Sequence, residues 1–130
     1  MVYVLDTHIL LWYFTGNKRL AKRFKDIIDK TRNEGGLLLI PTIVLAESLY
    51  LHEKGRVEFD FDKMFRFIEK EPEFEVIGFG VEVFEEVTRL KNIPELHDRI
   101  IAATAKFYGA EVLSIDKSFT WFLEFQIQNF

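Results

Sequence analysis

Four acidic residues in this sequence stand where carboxylates could act together. Asp6 closes the apolar run VYVLD (2–6), and Asp116 closes the run EVLSID (111–116). Asp98 stands at the head of the apolar stretch HDRIIAATA. Glu47 has apolar neighbours in Val44, Leu45, Ala46 and Leu49, an odd setting for an acid unless it faces a site. Each has an ordinary explanation on its own. Asp6 and Asp116 suit turns after strands, Asp98 suits the first turn of a helix, and Glu47 could be a solvated helix acid. As a group they are harder to dismiss. Crowded, buried carboxylates raise the pKa of at least one member, so proteins usually keep such a cluster for a cation. An all-oxygen ligand set suits Mg²⁺, Mn²⁺ or Ca²⁺, whereas Zn²⁺ prefers nitrogen and sulfur. One or two such ions can activate a water and stabilise the leaving oxygen in phosphodiester hydrolysis. Thr7 and Ser114 stand next to Asp6 and near Asp116. Their hydroxyls could orient a ligating carboxylate or a water, or be satisfied by local backbone.

The acids form one site only if the chain folds so as to gather them. Val2–Asp6 reads as a buried strand and 7–14 as a helix apolar nearly all round. KRLAKRFKDIIDKTRNEGG (18–36) has Leu20, Phe24, Ile27 and Ile28 at helical spacing and is stopped by Gly35-Gly36. LLLI (37–40) is a second strand. Pro41 and Thr42 open a helix that Gly55 ends. DFDKMFRFIEKE is a further helix, FEVIGF (74–79) an alternating strand, and 80–91 a helix with Val83, Phe84, Val87 and Leu90 inward. Residues 97–108 are the next helix and 111–115 the fourth strand. The tail SFTWFLEFQIQNF adds a short helix and an edge strand. Strands alternating with helices predict a parallel, doubly wound sheet, whose ligands bind at the carboxyl ends of the strands near a topological switch point. Asp6 and Asp116 would then share that edge, and would approach closely if their strands are neighbours.

At 130 residues the chain has the size of a single domain (1–130) with room for one core. It lacks cysteine, which excludes disulfides, zinc–thiolate sites and thiol catalysis. No apolar run reaches the roughly 20 residues of a membrane span. The N-terminus has neither a basic leader nor a small-residue cleavage site, so a cytoplasmic protein is expected. A net charge of −4 argues mildly against broad nucleic-acid binding, yet bound divalent ions can offset an acidic site.

The motifs DTHILLW, PTIVLAES, HDRIIAATA and LSIDKSF, in this order and spacing, resemble the PIN domain, and closely the VapC-type toxins of toxin–antitoxin pairs. The likeness runs from Val2 to about Phe119. It implies an α/β fold, a three-layer α/β/α sandwich around a mainly parallel central sheet of four to five strands. It implies an endoribonuclease dependent on Mg²⁺ or Mn²⁺. The family's acids fall on Asp6, Glu47, Asp98 and Asp116, which would be both metal ligands and catalytic residues. The hydroxyl partners fall on Thr7 and Ser114. RNA is the implied substrate, a small antitoxin and a second copy in a homodimer the implied partners.

Other features weigh less. KRLAKRFK (18–25) carries five basic residues that could track an RNA backbone, but Asp26 and Asp29 favour a solvated helix face. Arg99 could pair with the acids or a phosphate. The three histidines are scattered, at 8, 52 and 97; His97 is near the site, but a metal or acid–base role is not expected of it. The aromatic run FDFDKMFRF and the tail WFLEF hold more phenylalanine than one helix face hides, so core and partner surface both remain open. A haloacid-dehalogenase-type phosphatase would want Asp at position 8, where His8 stands, and a receiver domain would want an acid after the third strand, where FEVIGFG offers none. The serious rival is a non-catalytic PIN-like module that binds RNA or protein.

Overall fold

A computed structural model describes residues 1–115. Four strands and six helices alternate along them: β1 (Val2–Leu5), α1 (Thr7–Thr15), α2 (Lys22–Asn33), β2 (Leu37–Pro41), α3 (Thr42–Glu53), α4 (Phe61–Lys70), β3 (Phe74–Ile77), α5 (Val81–Arg89), α6 (Leu96–Tyr108) and β4 (Glu111–Leu113). All four strands run parallel in the order β3-β2-β1-β4. Parallel strands joined through helices take right-handed crossovers. The chain steps outward from β1 to β3 and then returns past β1 to β4, so α1 to α4 cover one face and α5 and α6 the other. The result is the expected three-layer sandwich.

Burial on both faces explains why the central strands read as apolar runs rather than alternating ones. Val4, Leu5, Leu38 and Ile40 are wholly buried, as are Ile9 and Leu11 of α1 and Ile101, Ala102 and Ala103 of α6. The small alanines let α6 lie close to β1 and β4. Gly36 is required before β2, because a Cβ there would sit 2.7 Å from both the Met1 carbonyl oxygen and Thr31 Cγ2. Gly109 ends α6 with φ +63°, donating its N–H to Ala105 and Lys106 carbonyls in a left-handed conformation that favours glycine.

Several boundaries differ from the sequence reading, among them those of α2 and β3. The helix expected from Lys18 begins at Lys22, because Asn17 accepts the Arg19 N–H in a turn and Gly16 (φ +66°) ends α1. The third strand is shorter than FEVIGF, and its middle residues Glu75 and Val76 are both exposed at the sheet edge. The helix and strand expected in the tail lie outside the described residues, as does Asp116. Among the described residues no helix is long and apolar enough to cross a membrane.

Candidate active site

The strand order places the switch point between β1 and β4, since the chain leaves β1 in one direction and reaches β4 in the other. The register pairs Leu5 with Leu113, so Asp6 and Ser114 are the next residues on adjacent strands. The Asp6 N–H donates to the Leu113 carbonyl at 3.0 Å. Asp6 also caps α1 from an extended backbone conformation. Its Oδ1 accepts the Thr7 N–H at 2.7 Å, and its Oδ2 accepts the Ser114 hydroxyl at 2.8 Å. Burial alone would raise the pKa of this carboxyl. Hydrogen bonds from His97, Ser114 and the Thr7 N–H outweigh it and hold the group below the ordinary aspartate value. Asp6 is therefore a fixed carboxylate at neutral pH.

Two other expected acids arrive from separate elements. Glu47, on α3, leaves its side chain 37% exposed toward the site. Asp98 is buried in the first turn of α6, whose N-cap is Glu95, so Asp98 lies three residues inside the helix rather than at its start. Asp6, Glu47 and Asp98 all line one cleft of about 380 Å³, with His8, Glu95, His97 and Ile115. The two hydroxyls divide. Ser114 orients Asp6 as expected, whereas Thr7 does so through its backbone N–H. Thr7 Oγ1 is fully buried and meets no hydrogen-bond partner among the described residues.

His97 is closer to the chemistry than its sequence suggested. Its Nε2 lies 3.5 Å from Asp6 Oδ1 and 3.8 Å from Glu47 Oε1. The hydrogen bond to Asp6 raises its pKa, burial opposes that, and the charges of Glu47, Asp6 and Asp98 add to the rise. Its ring nitrogen thus faces both carboxylates. Arg99 is turned away, its Nε donating to the Ile93 carbonyl at 2.7 Å.

One ligand atom from each of Asp6, Glu47 and His97 lies within 4.8 Å of the others. Two carboxylates from different elements and a third acid on the same cleft make a donor set that fits a divalent cation. A ligating imidazole must be neutral, so His97 could join the oxygens only in its deprotonated form. The oxygens remain the natural donors.

A sequence profile of the PIN domain matches residues 3–121. Among curated proteins none matches in sequence. Similar solved structures include VapBC2 from Rickettsia felis bound to a DNA fragment of its promoter, at 20% identity and a TM-score of 0.71, covering 92% of each chain. A toxin–antitoxin complex from Klebsiella pneumoniae is 21% identical with a TM-score of 0.62, covering 88% of this chain and 86% of that one. VapC20 of Mycobacterium tuberculosis, a toxin that cleaves the sarcin–ricin loop, is 15% identical with a TM-score of 0.67, covering 92% of this chain and 93% of its own.

Proposed function

Because the chain belongs to the PIN domain family, we propose that it is a divalent-metal-dependent endoribonuclease and the toxin of a toxin–antitoxin pair. The observation that carries this reading is the convergence of Asp6, Glu47 and Asp98, from three separate elements, on one cleft at the switch point of the sheet. The neighbours named as toxins, and the one named as cleaving the sarcin–ricin loop, support RNA as substrate and a small antitoxin as partner. A homodimer rests on the family likeness alone.

Asp6, Glu47 and Asp98 would hold the ion, with Asp116 as a fourth acid. Bound Mg²⁺ or Mn²⁺ supplies a Lewis acid that lowers the pKa of water and offsets charge on phosphate oxygens. The chain's own part is to keep the oxygens charged and aimed. Ser114 and the Thr7 N–H donate to opposite oxygens of Asp6, so its plane is set and its proton stays off. His97 stands between Asp6 and Glu47, with its Nε2 facing both carboxylates. Asp98 presents its carboxyl from a buried position on the cleft wall.

Cleavage of a structured RNA pool should require added Mn²⁺ or Mg²⁺, and both Asp6→Asn and Asp98→Asn should abolish it while leaving the fold intact by circular dichroism. Full activity in either variant would remove the assignment.

A further inference from the structure

We infer that a second pocket beside the acidic cleft is a subsite for unpaired RNA, with Trp12 stacking on a base and Arg19 and Arg56 meeting the flanking phosphates. This rests on reading the chain as a nuclease of RNA and names how that same site would hold its substrate.

The pocket has a volume of about 840 Å³ and is built from one side of α1, the turn after it, the end of α3 and the loop that follows. His8 lines both this pocket and the acidic cleft, so the two are adjacent along α1. Trp12 stands one helical turn further on. Its ring lies 5.6 Å from that of His8 at a tilt of 58°, leaving the half-buried indole on the pocket wall rather than sealed in the core. Arg19 and Arg56 come from opposite sides of the pocket, and both are exposed. Neither guanidinium is in an ion pair among the described residues. Lys22 and Lys25 of the same basic stretch, by contrast, are tied to Asp26 and Asp29. Glu58 is the single carboxylate of the lining, and no ion pair joins it to either arginine.

Electrostatics call for such a place. The cleft is lined by acids and the chain carries a net charge of −4, so a phosphate backbone gains little from the surface at large. Strand affinity has to come from cations not already neutralised, near enough to the cleft to position the scissile bond. An aromatic face with free arginines beside it is the usual means of holding single strands, because bases splayed out of a duplex stack on it and their phosphates follow the charge. A paired segment offers no exposed base face and is excluded by the same reasoning.

The test is anisotropy of a labelled single-stranded oligouridylate, titrated in chelator so that nothing is cut. Wild type should bind it more tightly than it binds the same RNA in duplex form. Arg19→Ala with Arg56→Ala should weaken binding at least about tenfold and flatten the log–log salt dependence by about 1.4, the slope of two phosphate contacts on a single strand. Trp12→Ala should cost about tenfold, and Trp12→Phe should recover most of it. Lys22→Ala with Lys25→Ala removes equal charge from paired residues and should change binding less than about threefold. The inference is overturned if the lysine pair loses as much as the arginine pair, if the tryptophan and arginine variants bind like wild type, or if wild type binds no RNA and takes up an acidic peptide instead. The rise in melting temperature that Mn²⁺ should cause by binding the folded chain reports on the acidic cleft separately. A missing shift with intact arginine and tryptophan dependence would sink the nuclease reading and leave the subsite standing.

Discussion

Asp6 shows how much one side chain depends on its donors. Burial pushes its pKa up, and the Ser114 hydroxyl is among the three hydrogen-bonding groups that reverse the direction. Ser114 does not itself line the cleft, so its role is to position Asp6. Ser114→Ala should therefore weaken apparent Mn²⁺ affinity by about 10- to 100-fold, the usual cost of losing an outer partner of a ligand. Ser114→Thr, which keeps the hydroxyl, should recover it. The check is the metal concentration at the midpoint of the melting-temperature rise, and an unmoved midpoint in Ser114→Ala would refute the role. The hydroxyl on Ser114 was legible from its place at a strand end. The unmatched hydroxyl of Thr7 was not, because the backbone N–H of the same residue reaches Asp6 first. His97 was undervalued because its place in the sequence put it near the site without showing which side chains its ring would face. The cleft lies over the end of α6, where His97 and Asp98 can both reach it.

At the scale of elements, α1 carries Asp6 at its head and is anchored further along its length. The Tyr13 hydroxyl donates to Asp29 Oδ1 at 2.7 Å, and Arg32 donates to the Tyr13 oxygen at 2.9 Å, joining α1 to α2. Arg32 continues to Glu71 at 3.2 Å and lies over the rings of Phe67 and Phe74, so α4 and β3 share the same node. The Tyr13 hydrogen bond, against a smaller effect of burial, lowers the Asp29 pKa, with Lys25 and Arg32 assisting. A carboxyl whose folded pKa is depressed contributes stability above its unfolded pKa near 3.8, lost as pH falls through the folded value. Asp29→Ala should thus be less stable than wild type at neutral pH, by below about 1 kcal/mol given its exposure. That gap should close as the solution is acidified below pH 3.8, as urea melts at a series of pH values would show. A gap constant with pH would mean that packing, not the charged hydrogen bond, holds the two helices. The node itself could not be read from sequence, since Tyr13, Asp29 and Arg32 meet only after α1 and α2 pack. Helix and strand runs were legible from periodicity and from Gly and Pro stops. Strand order was not, because apolar runs identify buried strands without saying which are neighbours. The adjacency of β1 and β4 is what turned separate acids into one site.

At the scale of the whole molecule, the free-energy cost of gathering acids is linked to what binds them. Asp6 and Glu47 both lie within 3.8 Å of His97 Nε2, and Asp98 is buried on the same cleft. The fold tolerates this because the sheet and α6 are held by an extensive apolar core rather than by the site. A cation that binds only the folded chain stabilises it by about 2.7 kcal/mol at a hundred times its dissociation constant. In a domain of this size that amounts to a rise in melting temperature on the order of 10 °C. Asp98→Asn should lose most of that rise. Its melting temperature in chelator should stay close to that of wild type, because the amide keeps the shape of the carboxyl. A blunted metal response with metal-free stability retained is the signature of a ligand rather than a structural residue. If Asp98→Asn instead melts lower in chelator and responds to Mn²⁺ as wild type does, Asp98 is a structural residue of α6 and the ion, if bound, rests on Asp6 and Glu47.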